Sequence, residues 1–158
     1  MSSEPQLRLA VPSDIGAVLP LFRAYQNHYN QLTKATEEKT LRFLEELVAN
    51  AEQGFAIIAE VDARVVGFAT GFVTVSGVIA ERMVHLGDLY VDPEFRRRGI
   101  ATALLNEVTE KARSRGFGLV RWLALASETE VNRWYNSVVP SSGEFRLYLR
   151  PTQAKPNL

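Results

Sequence analysis

Leu89-Tyr90-Val91-Asp92-Pro93-Glu94-Phe95-Arg96-Arg97-Arg98-Gly99-Ile100-Ala101-Thr102 is the stretch on which the fold turns. It starts as the end of an apolar strand, passes an Asp-Pro turn, and enters a helix in which Ala101, Leu104, Leu105, Val108 and Ala112 recur at helical spacing. Gly116 closes that helix. The first N–H groups of a helix have no partner inside it, and the helix dipole adds about half a positive charge at the same end. A helix entered from a strand end is therefore an anion site. Gly99 and Ala101 lack bulk where a pyrophosphate needs close backbone approach, and Arg96, Arg97 and Arg98 add charge at the rim. The spacing is neither a Walker loop nor the Gly-x-Gly-x-x-Gly fingerprint. Taken alone, these residues equally suit a solvated arginine turn with a helix-starting glycine.

Upstream, Met83 to Val91 reads as a strand; downstream, Leu119 to Ala126 reads as another. Strand, helix and strand in this order predict a parallel pair joined by a right-handed crossover, with ligands at the carboxyl ends near Val91 and Ala126. Further out, Phe55–Val61 and Val65–Val75 flank the turn Asp62-Ala63-Arg64 as a hairpin. Leu7 to Val11 forms a first strand, and Pro12-Ser13-Asp14 supplies a stop and a helix cap. Ile15, Val18, Leu19, Phe22 and Tyr25 share a helical face, but Pro20 inside it predicts two pieces. Thr36-Glu37-Glu38-Lys39 opens a second helix with Leu41, Leu44, Leu47 and Val48 on one side. Glu128 to Asn136 is a short helix. Phe145, Leu147 and Leu149 alternate with polar neighbours as a last strand, and residues 151–158 form a loose tail. The order β-α-α-β-β-β-α-β-α-β is α+β, a mixed sheet with helices on both faces.

The composition agrees. At 158 residues and 46% hydrophobic content, a single domain over residues 1–158, with its core at about 6–150, can bury enough surface without staples. The absence of cysteine removes disulfides, thiolate zinc sites and cysteine nucleophiles, and no metal centre is expected. Lys and Arg number 18 against 18 Asp and Glu, so no global basic field draws the chain to nucleic acid or membrane. Val65 to Ala80 is uncharged but falls short of the ~20 apolar residues of a membrane helix, and reads as buried strand. The first residues lack the features of a signal peptide, which sets the expectation of a cytoplasmic protein.

Arg96-x-x-Gly99-x-Ala101, entered from Leu89-Tyr90-Val91-Asp92-Pro93, resembles the acetyl-CoA signature of the GNAT superfamily of N-acetyltransferases. The resemblance covers residues 6 to 150 and is most specific at 88 to 105. It implies the GNAT fold, with a bulge in the strand Met83–Val91 that splays it from its parallel neighbour and admits the pantetheine arm. Backbone groups of Leu89, Tyr90 and Val91 would pair with the pantetheine amides, and amides of Arg97 through Thr102, among them Arg98, Gly99, Ile100 and Ala101, would cradle the pyrophosphate. Arg96 belongs to the same cofactor-binding set. The resemblance also implies that Tyr135 protonates the departing thiol, a task its pKa of roughly 10 suits. Packing beside Trp134 is the competing role. The chain departs from the family pattern at Glu128, Val131 and the stretch Val138-Val139-Pro140-Ser141-Ser142-Gly143.

Attack on a thioester requires the amine to shed a proton. Family members similar to this segment read Glu-Asp-Leu-Tyr-Val with the glutamate as base; here Gly87 replaces it and Asp88 remains, which makes Asp88 the leading candidate, followed by His85, Glu81 and Glu128. A carboxylate tied to an arginine or to backbone amides is the alternative for Asp88. Without cysteine, direct attack in a ternary complex is favoured over an acyl-enzyme. The acceptor, a primary amine of a small molecule or peptide, would meet the cluster around Tyr25, His28 and Tyr29, which also includes Gln26, Asn27 and Asn30. Core packing competes for the two tyrosines. A homodimer through the last strand is compatible with the sequence.

Overall fold

Alternating and continuous apolar runs become a five-stranded sheet in the computed structural model, which describes residues 3–29, 35–139, 141 and 146–148. Asn30, Pro140, Ser142, Gly143, Phe145, Leu149 and the tail 151–158 lie outside the described residues. The strands are β1 (Gln6–Leu9), β2 (Gly54–Val61), β3 (Arg64–Ser76), β4 (Glu81–Val91) and β5 (Val120–Arg121), side by side in chain order. The first three pairings are antiparallel and β4 pairs with β5 in parallel. The hairpin between β2 and β3 turns at Asp62 and Ala63, both at positive φ, as two-residue turns of matching twist require.

The helices are α1 (Ile15–His28), α2 (Glu37–Ala49), α3 (Ile100–Ser114) and α4 (Thr129–Val138). Opposite residues of paired strands share a face and successive residues alternate. Phe68 of β3 thus points at α1, where its ring stacks on Phe22 with centroids 4.8 Å apart, in one buried cluster with Val18, Leu44 and Ile58. Gly67, the next residue back, faces α3, whose Leu104 is 3.4 Å from where a Cβ would stand. The sheet is covered on both faces. Thr36 caps α2 by accepting from the Lys39 N–H. Beyond the last turn of α3, Gly116 at φ 78° lets Phe117 N–H reach Ala112 and Gly116 N–H reach Arg113, a Schellman closure.

Several expectations are corrected. Helix α1 is one continuous piece: Pro20 lies on its exposed side, where water can serve the Gly16 carbonyl, while buried Val18 and Phe22 fix the helix on the sheet. Asp14 stands at the N-cap position of α1, but its side chain makes no cap hydrogen bond there. It ends a single 3-10 turn, Pro12–Asp14, and its carboxylate accepts from Val11 N–H and the Arg8 guanidinium. β5 is two residues long rather than running from Leu119 to Ala126, so Ala126 is no strand end; Leu123 is 61% exposed, with no strand to cover it. The described part of the expected last strand, Arg146 to Tyr148, is not strand, and both Leu147 and Tyr148 lie exposed. The stretch Val65 to Ala80 is β3 and its turn, and no helix among the described residues is long and apolar enough to cross a membrane. The chain divides into two compact units, Met1–Trp122 and Leu123–Leu158, the second containing α4.

Candidate active site

In β4 the pairing with β3 slips by one residue: Thr70 faces Asp88, whereas Gly71 faces Leu86. Gly87 is the extra residue of a bulge. Without it, His85 and Asp88, three apart, would point to opposite faces; with it, both lie on the α1 side, opposite Phe72 and Thr70. The Phe72 ring favours glycine at this position. A Cβ there would stand 2.1 Å from Cε2 of Phe72, so the ring of Phe72 fills the space that a side chain at residue 87 would need.

Asp88 is half-buried, and its partners are hydroxyls rather than an arginine or backbone amides. Thr70 Oγ1 donates to its carboxylate at 2.5 Å, and the Tyr25 hydroxyl donates as well. Burial raises its pKa above the ordinary carboxylate value, and the two hydroxyls and His85 act in the opposite direction. His85, opposite Arg121 of β5, has its pKa lowered by burial first and by Arg121 second, with Asp88 opposing. Its Nδ1 is buried and has no hydrogen-bond partner among the described residues.

The aromatic end of α1 comes to the same place. Tyr25 packs edge-on against Phe22 and Phe68 within the core cluster, and its ring lies 6.1 Å from that of Tyr90 and 5.1 Å from that of Tyr29. His28 stacks edge-on against Tyr29 at 5.0 Å and is exposed. Tyr25 thus packs against the core cluster and also reaches Asp88 with its hydroxyl. Glu81 opens β4 at an exposed position opposite Ser76, four residues from His85.

Pairing between β4 and β5 covers only Val84 with Val120 and His85 with Arg121. Past His85, β4 continues to Val91 with no strand on that side among the described residues. Asp92 N–H bonds Val66, so in an alternating ladder Tyr90 and Asp88 direct their backbone groups to β3, and Leu89 and Val91 direct theirs to the open edge. At the end of β4, Asp92 accepts from Glu94 N–H and pairs with Arg64 at 2.8 Å, which fixes the 3-10 turn Pro93–Phe95.

Gly99 then caps α3 in the left-handed region at φ 78°, and Ala103 N–H is the first to reach its carbonyl. The N–H groups of Ile100 and Ala101 lie ahead of the helix's own acceptors, with Thr102 in the same turn. Nothing lies within 4 Å of where a Gly99 Cβ would be. Two of the three arginines turn back on the protein. Arg96 Nε donates to the Val91 carbonyl at 2.9 Å with its guanidinium over the Tyr90 ring, and Arg98 lies over Phe95 and donates to the Glu94 carbonyl. Arg97 adopts φ 62°, a left-handed backbone uncommon for a residue with a side chain.

Within the second unit, Tyr135 lies on α4 with its ring 4.7 Å from Trp134. Glu128 precedes the helix and its carbonyl accepts from Asn132 N–H, while Val131 is 39% exposed. Thr70 and Phe72 are the neighbours of Asp88 and Gly87 that the sequence did not single out. Both lie in an apolar run, and only the pairing register brings them to Asp88 and Gly87.

Residues 19–136 match the family model described as Acetyltransferase (GNAT) family. The chain is 31% identical over 137 residues to the uncharacterized N-acetyltransferase YhfO of Bacillus subtilis (strain 168), across 87% of each protein. It is also 31% identical over 126 residues to the uncharacterized N-acetyltransferase MJ1207 of Methanocaldococcus jannaschii, across 77% of this chain and 54% of that protein. Among solved structures it is similar in fold to the aminoglycoside N-acetyltransferase AAC(6')-Iy in complex with CoA, with a TM-score of 0.83, 18% identity and 97% of both chains covered. The same enzyme in complex with a bisubstrate analog of CoA and acetylneamine gives a TM-score of 0.82 at 19% identity, over 96% of this chain and all of that one (100%).

Proposed function

The chain belongs to the acetyltransferase (GNAT) family and is an acetyltransferase by that membership, and from this premise we propose that it moves the acetyl group of acetyl-CoA to a primary amine of a small molecule or peptide. The observation that carries the reading is the parting of β4 from β5 after His85, which leaves an open strand edge leading to the Gly99-capped end of α3. The fit to coenzyme A is supported at both ends. Leu89 and Val91 offer backbone groups on the edge, although Arg96 already takes one Val91 lone pair, and the space around Gly99 lets a phosphate approach the N–H groups of Ile100 and Ala101. The arginines act at the rim by charge. A CoA-bound neighbour of the same fold and a neighbour bound to an amine-derived bisubstrate analog support the substrate classes.

On this reading Asp88 pairs with the incoming ammonium and draws off its proton, and Tyr25, His28 and Tyr29 line the acceptor side. Tyr135 supplies the proton to the departing thiolate, a role carried over from the family pattern. A half-buried carboxylate with a raised pKa suits a base because it is closer to the ammonium it must deprotonate. Attack is direct, since the chain has no cysteine to carry the acyl group.

Calorimetry with acetyl-CoA at low salt, followed by mass spectrometry of an amine panel incubated with acetyl-CoA, tests the proposal. Binding, thiol release and an acetylated amine are expected. Binding with no acetyl transfer to any primary amine would sink it.

A further inference from the structure

We propose that His85 is the second half of the proton-accepting unit, so that the proton which Asp88 draws from the acceptor ammonium ends on Nδ1 of His85. The inference rests on the acetyl-transfer reading above and adds a residue to it. Four observations carry it. The bulge at Gly87 places His85 and Asp88 on one face of β4, an arrangement a regular strand forbids. Nδ1 of His85 is buried without a hydrogen-bond partner among the described residues, and a buried polar atom left so is costly enough that it commonly marks function. The Asp88 carboxylate already accepts from Thr70 and Tyr25, whereas Nδ1 of His85 on the same face has no partner among the described residues.

The fourth observation is position. His85 is the last residue of β4 paired with β5, at the closed end of the parting, whereas the anion site at Gly99 lies beyond its open end. The six steps from His85 to Val91 span about 20 Å. An acyl-CoA held by its pyrophosphate at α3 and laid along this edge brings its thioester toward His85. The charged groups facing His85 are Arg121 from β5 and Asp88 from its own strand; β3 presents Phe72, and α1 presents Tyr25 through Asp88. Burial and Arg121 keep the imidazole neutral and able to accept, and Asp88 offsets the charge of the imidazolium once formed.

The protons balance. The ammonium carries three and the amide product one. The first leaves nitrogen by way of Asp88 for Nδ1 of His85, which frees the lone pair. That pair bonds to the acetyl carbon while the carbon–sulfur bond breaks and its electrons leave on sulfur. The second proton departs nitrogen as the amide forms and matches the one that the thiolate takes up. His85 then returns its proton through Asp88 to solvent once the product has left.

The test compares wild type with His85→Gln on an amine that wild type acetylates. We expect a kcat lower by about a hundredfold with an unchanged KM for acetyl-CoA. A structural role would not move the pH profile, so the second readout is the fall of kcat/KM on the acid side, which should vanish in the variant. The third readout needs no turnover: with only two histidines in the chain, NMR titration resolves His85, and Asp88→Asn should lower its midpoint further. His85→Gln with wild-type kcat and an intact acid limb, or a His85 midpoint indifferent to Asp88→Asn, would overturn the proposal. Wild-type protein that acetylates no amine overturns the acetyl-transfer reading and this proposal with it, a failure visible before any variant is made.

Discussion

Gly99 illustrates how one residue carries two requirements. It caps α3 at a φ of 78°, where any side chain is strained, and it leaves open the space in front of the first helical N–H groups. Gly99→Ala should therefore cost about 1 kcal/mol of stability with affinity largely kept, while Gly99→Glu should abolish acetyl-CoA binding by bulk and like charge. Calorimetry on both separates strain from electrostatics, and retained affinity in the glutamate variant would place the pyrophosphate elsewhere. Tyr135→Phe should lower kcat while leaving acetyl-CoA affinity unchanged, the pattern of an interaction made mainly in the transition state. An unaltered kcat would return Tyr135 to packing against Trp134. The role of Gly99 was legible in the sequence because a glycine ahead of a periodic apolar run is a local signal. Thr70 and Phe72 were not legible, because what they touch lies across a strand pairing.

At the scale of the element, the bulge in β4 is the deciding feature, and it depends on a matched pair. Gly87 is favoured because Phe72 occupies its side-chain space, and Phe72 is there because β3 places it opposite His85. Gly87→Ala should destabilise the protein by about 1–3 kcal/mol through overpacking and should disturb the Asp88–Thr70 bond. Adding Phe72→Ala should recover part of that loss, a coupling that denaturant unfolding of the single and double variants would measure. Additive losses would show that the ring and the glycine are independent. The substitution of the expected glutamate by Gly87 was plain in the sequence. Its consequence, a ring in the vacated space and two titratable side chains turned to one face, follows only from register. The element lengths have a similar explanation: β5 pairs with β4 at Val120 and Arg121 alone among the described residues, and periodicity cannot report whether a partner strand is present.

Across the whole molecule, the balance of 18 cations and 18 anions conceals a site that responds to pH. His85 has its folded pKa lowered from 6.5, so the unfolded chain takes up a proton first as the pH falls. Its contribution to stability is complete above that value and declines below it. Asp14, lowered from 3.8 by Arg8, behaves like a salt-bridged acid, stabilising above that value and losing the contribution at lower pH. Asp88, with its pKa raised, has the opposite sign: the folded state binds its proton first, which offsets part of the acid loss just above 3.8. The melting temperature should thus fall between about pH 7 and 5, and His85→Gln should flatten that slope. An identical slope in the variant would show that the imidazole is equally accessible to protons in both states.

The sequence by itself determined the α+β class, the strand-turn-helix unit around Gly99 and the missing side chain at Gly87, because each is written in spacing along the chain: a helical period, a glycine at a helix start, a glycine inside a strand. The tertiary structure decided which side chains meet. It joined α1 to β4 through Tyr25 and Asp88, set His85 beside Asp88 by a one-residue slip, and turned two arginines back onto the strand end and turn, because pairing register and burial arise between segments distant in sequence.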